Sequence, residues 1–152
     1  MVEKIIHDLK AMGNEKDRAG MARFGINVEN AFGVSVTVLR KYGKAYQNNH
    51  ALALKLWRTG IHECRMLAAI IDDPSQVTPD QMEEWVKDFD SWDVCDTACT
   101  GLFDLTPHAV AKAKEWANRE KEFEKRAGFA LMAGMAWHSK DEPDETFMAF
   151  FS

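Results

Sequence analysis

An all-α protein is predicted, assembled from short helix pairs into a single domain over residues 1–152, and three observations predict it. Ala, Leu, Met, Glu and Lys dominate the chain, and these side chains lose little freedom in a helix. Alternating β-branched runs, the signature of half-buried strands, are nearly absent. Helix start and stop signals recur at short intervals while Gly and Pro number only 9 and 4, so the connections are brief.

The first element is read over Val2–Met12, where Ile5, Ile6 and Leu9 share one face and Gly13 supplies the stop. A short helix follows over residues 15–24. Ser35 or Thr37 caps a third that continues through Tyr42 and Tyr46, with Val38 expected in its core. Residues 51–58 and 62–71 read as a helix pair joined at Thr59-Gly60, and Pro74 closes that unit. Thr78-Pro79 and Thr106-Pro107 each place a threonine at the N-cap and a proline at the first helical position. Between them Ser91 caps a helix expected to run to about residue 103. Residues 120–139 start highly charged and turn apolar nearly all round after Ala127, which predicts a central, buried helix. Residues 141–144 then cap a last helix over 145–151.

So many short helices with brief connections favour a HEAT-like α-solenoid of antiparallel pairs, with a compact irregular bundle as the alternative. The sequence closes on Ala149-Phe150-Phe151-Ser152, without the polar outer face a terminal repeat needs. Further C-terminal helices, or a partner, are expected to cover that end.

Apolar residues make up 46% of the chain and charged ones 28%, a globular balance with enough apolar surface for a real core. The N-terminus is amphipathic and charged, unlike a signal peptide. The longest near-apolar run, residues 127–137, falls short of the about 20 residues that span a bilayer. Three cysteines, Cys64, Cys95 and Cys99, show no disulfide-scaffold spacing, which fits reducing cytoplasm. The net charge of −5 argues against a surface coated in positive charge but not against a local basic face. Nothing in the pattern sets the oligomeric state.

Within this frame the segment from Asp90 to Asp96 is the first candidate for chemistry. Trp92 and Asp96 are four apart, so on a helix they share a face, with Asp93 partly on it. An indole beside a carboxylate suits a positively charged intermediate; equally, Trp92 packs in the core while Asp96 caps or solvates a surface. Asp88, Asp90 and Asp93 do not form a calcium loop, because Trp92 stands where an oxygen ligand is wanted and no turn glycine or closing glutamate follows. They read as a solvated helix start. Zinc ligation by Cys95 and Cys99 lacks a second close ligand pair, so buried structural cysteines are expected and no metal or cofactor. A cysteine nucleophile working with His108 or His138 lacks any supporting signature. Arg126, at the junction of the charged and apolar halves of its helix, either reaches a phosphate or pairs with Glu122 one turn earlier. Lys41, Lys44, Lys55, Arg58, Lys112, Lys114, Arg119 and Lys121 either line one basic side of the stack or belong to a mixed-charge surface.

Four segments taken together resemble the AlkD-type DNA alkylation repair proteins: His50-Ala-Leu-Ala-Leu-Lys-Leu-Trp57, Gly60-Ile-His-Glu-Cys-Arg-Met-Leu-Ala-Ala69, Trp85-Val-Lys-Asp-Phe-Asp-Ser-Trp-Asp-Val-Cys-Asp96 and Lys125-Arg-Ala-Gly-Phe-Ala-Leu-Met-Ala133. The resemblance runs from about residue 21 to 149, and Ser-Trp-Asp-x-x-Asp with the later Arg-Ala is its most specific part. It implies a HEAT-like α-solenoid holding duplex DNA on its concave face, and hydrolysis of the N-glycosidic bond of N3- or N7-alkylated purines. It places Asp96 opposite the sugar, where it stabilises oxocarbenium-like charge and orients water. Trp92 would lie along the damaged nucleotide's sugar and backbone, and Arg126 would hold a phosphate. Phe24 stands near the DNA where some relatives carry tyrosine, so one hydroxyl contact is missing. Relatives continue through further helices beyond the position of Ser152, so a C-terminally truncated form is expected. A non-catalytic HEAT-like module binding DNA or protein is the alternative function.

Overall fold

The computed structural model describes residues 1–138, and among them every regular element is helical. The contacts divide the chain into two compact units, Met1–Asp73 and Pro74–Ser152.

The first unit opens with α1 (Val2–Met12), which buries Ile5 and Leu9, leaves Ile6 half-buried and stops at Gly13. Asn14 caps α2 (Glu15–Arg23) by accepting from the Asp17 N–H at 2.8 Å. This helix buries no side chain, so it is held by polar straps instead. Arg18 donates to the carbonyls of Val28 at 2.9 Å and Ala31 at 3.2 Å. From the other side the fully buried Glu63 carboxylate accepts the N–H groups of Phe32, Gly33 and Val34 at 2.9, 3.0 and 3.1 Å. The loop's backbone groups thus find side-chain partners where no ladder exists to satisfy them.

Ser35 caps α3 (Val36–Gly43) through the Val38 N–H, and a 3₁₀ turn over Lys44–Tyr46 extends it as the sequence suggests. Its core face differs from expectation. Val38 is exposed, and Leu39 with Gly43 are buried instead. The reason is close packing on α5 (His62–Ile71): a side chain at position 43 would crowd Leu67 and Ile71, so the helix turns its glycine inward and Val38 out. Asn49 caps α4 (His50–Arg58), and Gly60 at φ +74° makes the turn into α5, a conformation glycine adopts without steric cost. His50 Nδ1 sits 2.7 Å from Asp72 Oδ1, tying the start of α4 to the end of α5. Pro74 begins a 3₁₀ turn at the unit boundary.

In the second unit Thr78 caps α6 (Pro79–Asp88) by accepting from the Gln81 N–H at 3.1 Å, with Pro79 at the first position. α7 (Trp92–Cys99) starts after Ser91, which holds the N-cap position but makes no side-chain capping hydrogen bond, and the helix ends four residues early. Gly101, at φ +129°, redirects the chain into a 3₁₀ turn over Phe103–Leu105. α8 (Ala109–Ala117) starts two residues later than Thr106-Pro107 implies. Thr106 Oγ1 is used by the preceding turn, donating to the Phe103 carbonyl at 2.7 Å and accepting from the His108 N–H at 3.3 Å, which leaves His108 at the N-cap. Phe103 packs between Trp85 and Trp116, at ring-centroid distances of 6.0 and 6.1 Å.

α9 (Glu122–His138) packs on α6, α7 and α8. It is not buried all round: Ala127, Leu131, Met132 and Met135 face inward while Phe129, Ala133 and Ala136 face out. Gly128 and Gly134 bring its backbone against Ala117 and Asp104, where any side chain would collide. The expected terminal helix and its cap over 141–151 lie outside the described residues. Cys64, Cys95 and Cys99 are buried free thiols. Among the described residues no helix is long and apolar enough to cross a membrane.

Candidate functional site

The site is built where α7 meets α9, and the buried faces of the two helices decide which side chains point outward. Val94, Cys95, Ala98 and Cys99 anchor α7, so positions 92, 96 and 100 share its outer face. Ala127 and Leu131 anchor α9, which turns Arg126, Phe129, Ala130 and Ala133 toward the same side. Arg126 Nε donates to Asp96 Oδ1 at 2.9 Å and its Nη2 to Oδ2 at 2.7 Å, a planar two-point fork. The pair borders an open depression of about 420 Å³ lined by Asp96, Thr100, Arg126, Phe129, Ala130 and Ala133.

Asp96 and Arg126 keep 36% and 46% of their side-chain surface in contact with solvent. An ion pair that exposed contributes on the order of 0–1 kcal/mol to stability. Its worth lies in geometry. Hydrogen bonding to Asp96 raises the Arg126 guanidinium pKa further, so this group stays a cation, and the fork fixes the plane of the carboxylate. Among the described residues two of the guanidinium's five N–H donors serve Asp96, and the far edge of the fork faces no other carboxylate partner there and can meet a second anion. Each carboxylate oxygen likewise keeps a lone pair beyond the one arginine uses.

Of the residues singled out in the sequence, Asp96 and Arg126 meet directly, and Trp92 lies one turn before Asp96 on the same helix, 37% exposed. Phe24 belongs to the first unit, at the C-cap of α2, and is 76% exposed. The expected pairing of Arg126 with Glu122 is replaced by the contact with Asp96, thirty positions earlier. The acidic run is not one helix start: Asp93 lies in the first turn of α7, but Asp88 is the last residue of α6. The basic series is divided as well. Lys112 and Arg119 turn to Glu83, at 2.8 and 2.9 Å, and are structural. Burial pushes the Cys64 thiol up to about 11 and Cys99 well above its ordinary value, so both stay protonated and poorly nucleophilic. Among the described residues no group of three or more His, Cys, Asp or Glu is placed to hold a metal. Sequence reasoning missed Phe129, although its spacing of three from Arg126 on a helix put both on one face.

The helical architecture has a solved counterpart. It is similar, at TM-score 0.77 and 21% identity over 98% of this chain and 72% of the other, to a protein from a new family related to the HEAT-like repeat DNA glycosylases with affinity for branched DNA structures. That likeness defines the fold as HEAT-like. The family model described as DNA alkylation repair enzyme matches residues 5–149, and the chain belongs to that family. Among curated protein sequences there is no significant match.

Proposed function

We propose that this protein is a DNA repair glycosylase that hydrolyses the N-glycosidic bond of N3- or N7-alkylated purines in duplex DNA. The observation that carries the reading is Asp96 itself: a carboxylate oriented by an arginine fork, partly open to solvent, on the same helix face as Trp92. An alkylated purine is cationic, so it leaves with the electron pair of the C1′–N bond as a neutral base. The sugar then carries the positive charge. Asp96 faces that charge and orients the water whose oxygen bonds to C1′, while the water's proton is released. Arg126 holds Asp96 in place and offers its outer edge to a DNA phosphate. Trp92 lies along the sugar and backbone.

The test is release of N3- or N7-methylated purine from methylated duplex DNA incubated with the full chain, against unmethylated duplex as the control. Release confined to the methylated substrate supports the reading. A second reading, a non-catalytic DNA-binding module, is favoured by the affinity for branched DNA described for the structural neighbour. DNA binding with no base release, tighter on a junction than on linear duplex in a gel shift, decides for it.

A further inference from the structure

We infer that Phe129 is the platform of a subsite for one unstacked nucleobase, with the nucleotide's phosphate on the outer edge of Arg126. Phe129 leaves 42% of its surface in water on a helix whose neighbouring positions 127, 128, 131 and 132 are buried. A ring kept in water forgoes the burial its apolar area would gain, and here it borders a depression instead of standing on a flat surface. Ala130 and Ala133 line that depression beside it, so the ring's flank carries no bulky side chain. Arg126 lies one turn before Phe129, which sets their Cβ atoms about 5–6 Å apart. A phosphate and its own base can bridge that spacing.

Charge decides how a nucleotide would lie here. The Asp96 carboxylate lines the depression and repels a phosphate set directly against it. A neutral base is not repelled, and neither is a phosphate on the side of Arg126 away from Asp96. The arrangement therefore suits one nucleotide with its base laid on Phe129, because every base has a π face and stacking tolerates any sequence. Trp92 and Phe129 then flank the Asp96–Arg126 fork from α7 and α9, the first for sugar and backbone, the second for the base.

The inference rests on the DNA-binding reading above, and the experiment separates the two. Fluorescence anisotropy at one fixed salt concentration would compare the full chain on a duplex with a single bulged nucleotide and on a fully paired duplex of equal length. Wild type is expected to favour the bulged DNA by about ten-fold, the scale of one base–aromatic stack. Phe129→Leu keeps an apolar side chain but no ring, so it should lose that preference while its paired-duplex affinity stays within about two-fold. Phe129→Tyr should retain the preference. Exposure of the position keeps both variants folded, which unfolding midpoints check. Equal wild-type affinity for the two DNAs, or a preference that survives Phe129→Leu, overturns the subsite and leaves DNA binding standing. Failure of wild type to bind either DNA overturns the DNA-binding reading itself.

Discussion

Glu83 and Asp96 each accept both prongs of an arginine fork within the same unit, yet their surroundings differ in how much bonding capacity is left over. Arg119 grips Glu83 at 3.0 and 2.9 Å, and Lys112 and the Trp116 indole add further bonds at 2.8 Å each. Arg119 is shared in turn with Glu115 and Glu124. Burial would raise the Glu83 pKa, but hydrogen bonds from Arg119, Lys112 and Trp116 outweigh it and hold the group down at about 2. Every strong donor around Glu83 is engaged with α6, α8 or α9, and the cluster fastens those helices together. Among the described residues Asp96 is hydrogen-bonded by one arginine and Arg126 by one carboxylate, and both border open space. Saturated forks hold a fold; a fork with donors and lone pairs to spare can hold a ligand.

Removing each acid should therefore cost the fold very different amounts. Glu83→Ala leaves Arg119, Lys112 and the Trp116 N–H short of their partner and should cost about 2–3 kcal/mol in denaturant unfolding. Asp96→Asn should cost no more than about 1 kcal/mol, since the pair it weakens is half-exposed. Equal losses would erase the distinction.

Arginine variants sharpen the same contrast on the DNA side. Arg126→Gln should weaken duplex binding uniformly across sequences and reduce the slope of log affinity against log salt by about 1, one phosphate contact. Arg119→Gln should leave that slope unchanged and lower the unfolding midpoint instead. A salt slope that moves for Arg119 and not for Arg126 would reverse the assignment.

The Glu83 cluster also predicts a dependence on pH. The Glu83 pKa lies at about 2 in the folded chain against an ordinary value of 4.5, so between them the unfolded chain binds more protons. The stability from Glu83 is complete above about 4.5 and is lost as the pH falls toward 2. Unfolding midpoints followed over that window should drop less steeply in Glu83→Gln than in wild type. An unchanged slope would mean that the cluster does not hold Glu83 ionised.

Local chemistry made most of the fold legible in the sequence. Gly13, Ser35, Thr78, Ser91 and the Gly60 turn are signals read over three or four residues, and each falls at a helix boundary. Thr106-Pro107 carries the same letters as Thr78-Pro79 and misleads, because its hydroxyl is already committed to the Phe103 turn. Val38 misleads for a tertiary reason: Gly43 must face α5, and that fixes the phase of the helix. The site was legible as spacing on one helix, Trp92 with Asp96, and as a family-like Arg-Ala in another. That Arg126 meets Asp96 and not Glu122 depends on how α9 packs on α7, which no local pattern encodes. The same holds for Glu83, whose partners lie 29 to 36 positions away, and for Glu63, which reaches back about thirty residues to the loop before α3.

We propose that the Asp96–Arg126 fork performs chemistry while the Glu83 cluster performs support. The most direct test is single-turnover release of N7-methylguanine from methylated duplex DNA by wild type and by Asp96→Asn, with unfolding of both followed in parallel. The expected result is release at least about 100-fold slower in the variant, the scale of losing one electrostatic stabiliser of a charged transition state, with an unfolding midpoint close to wild type. Release at the wild-type rate by a folded Asp96→Asn protein would contradict it.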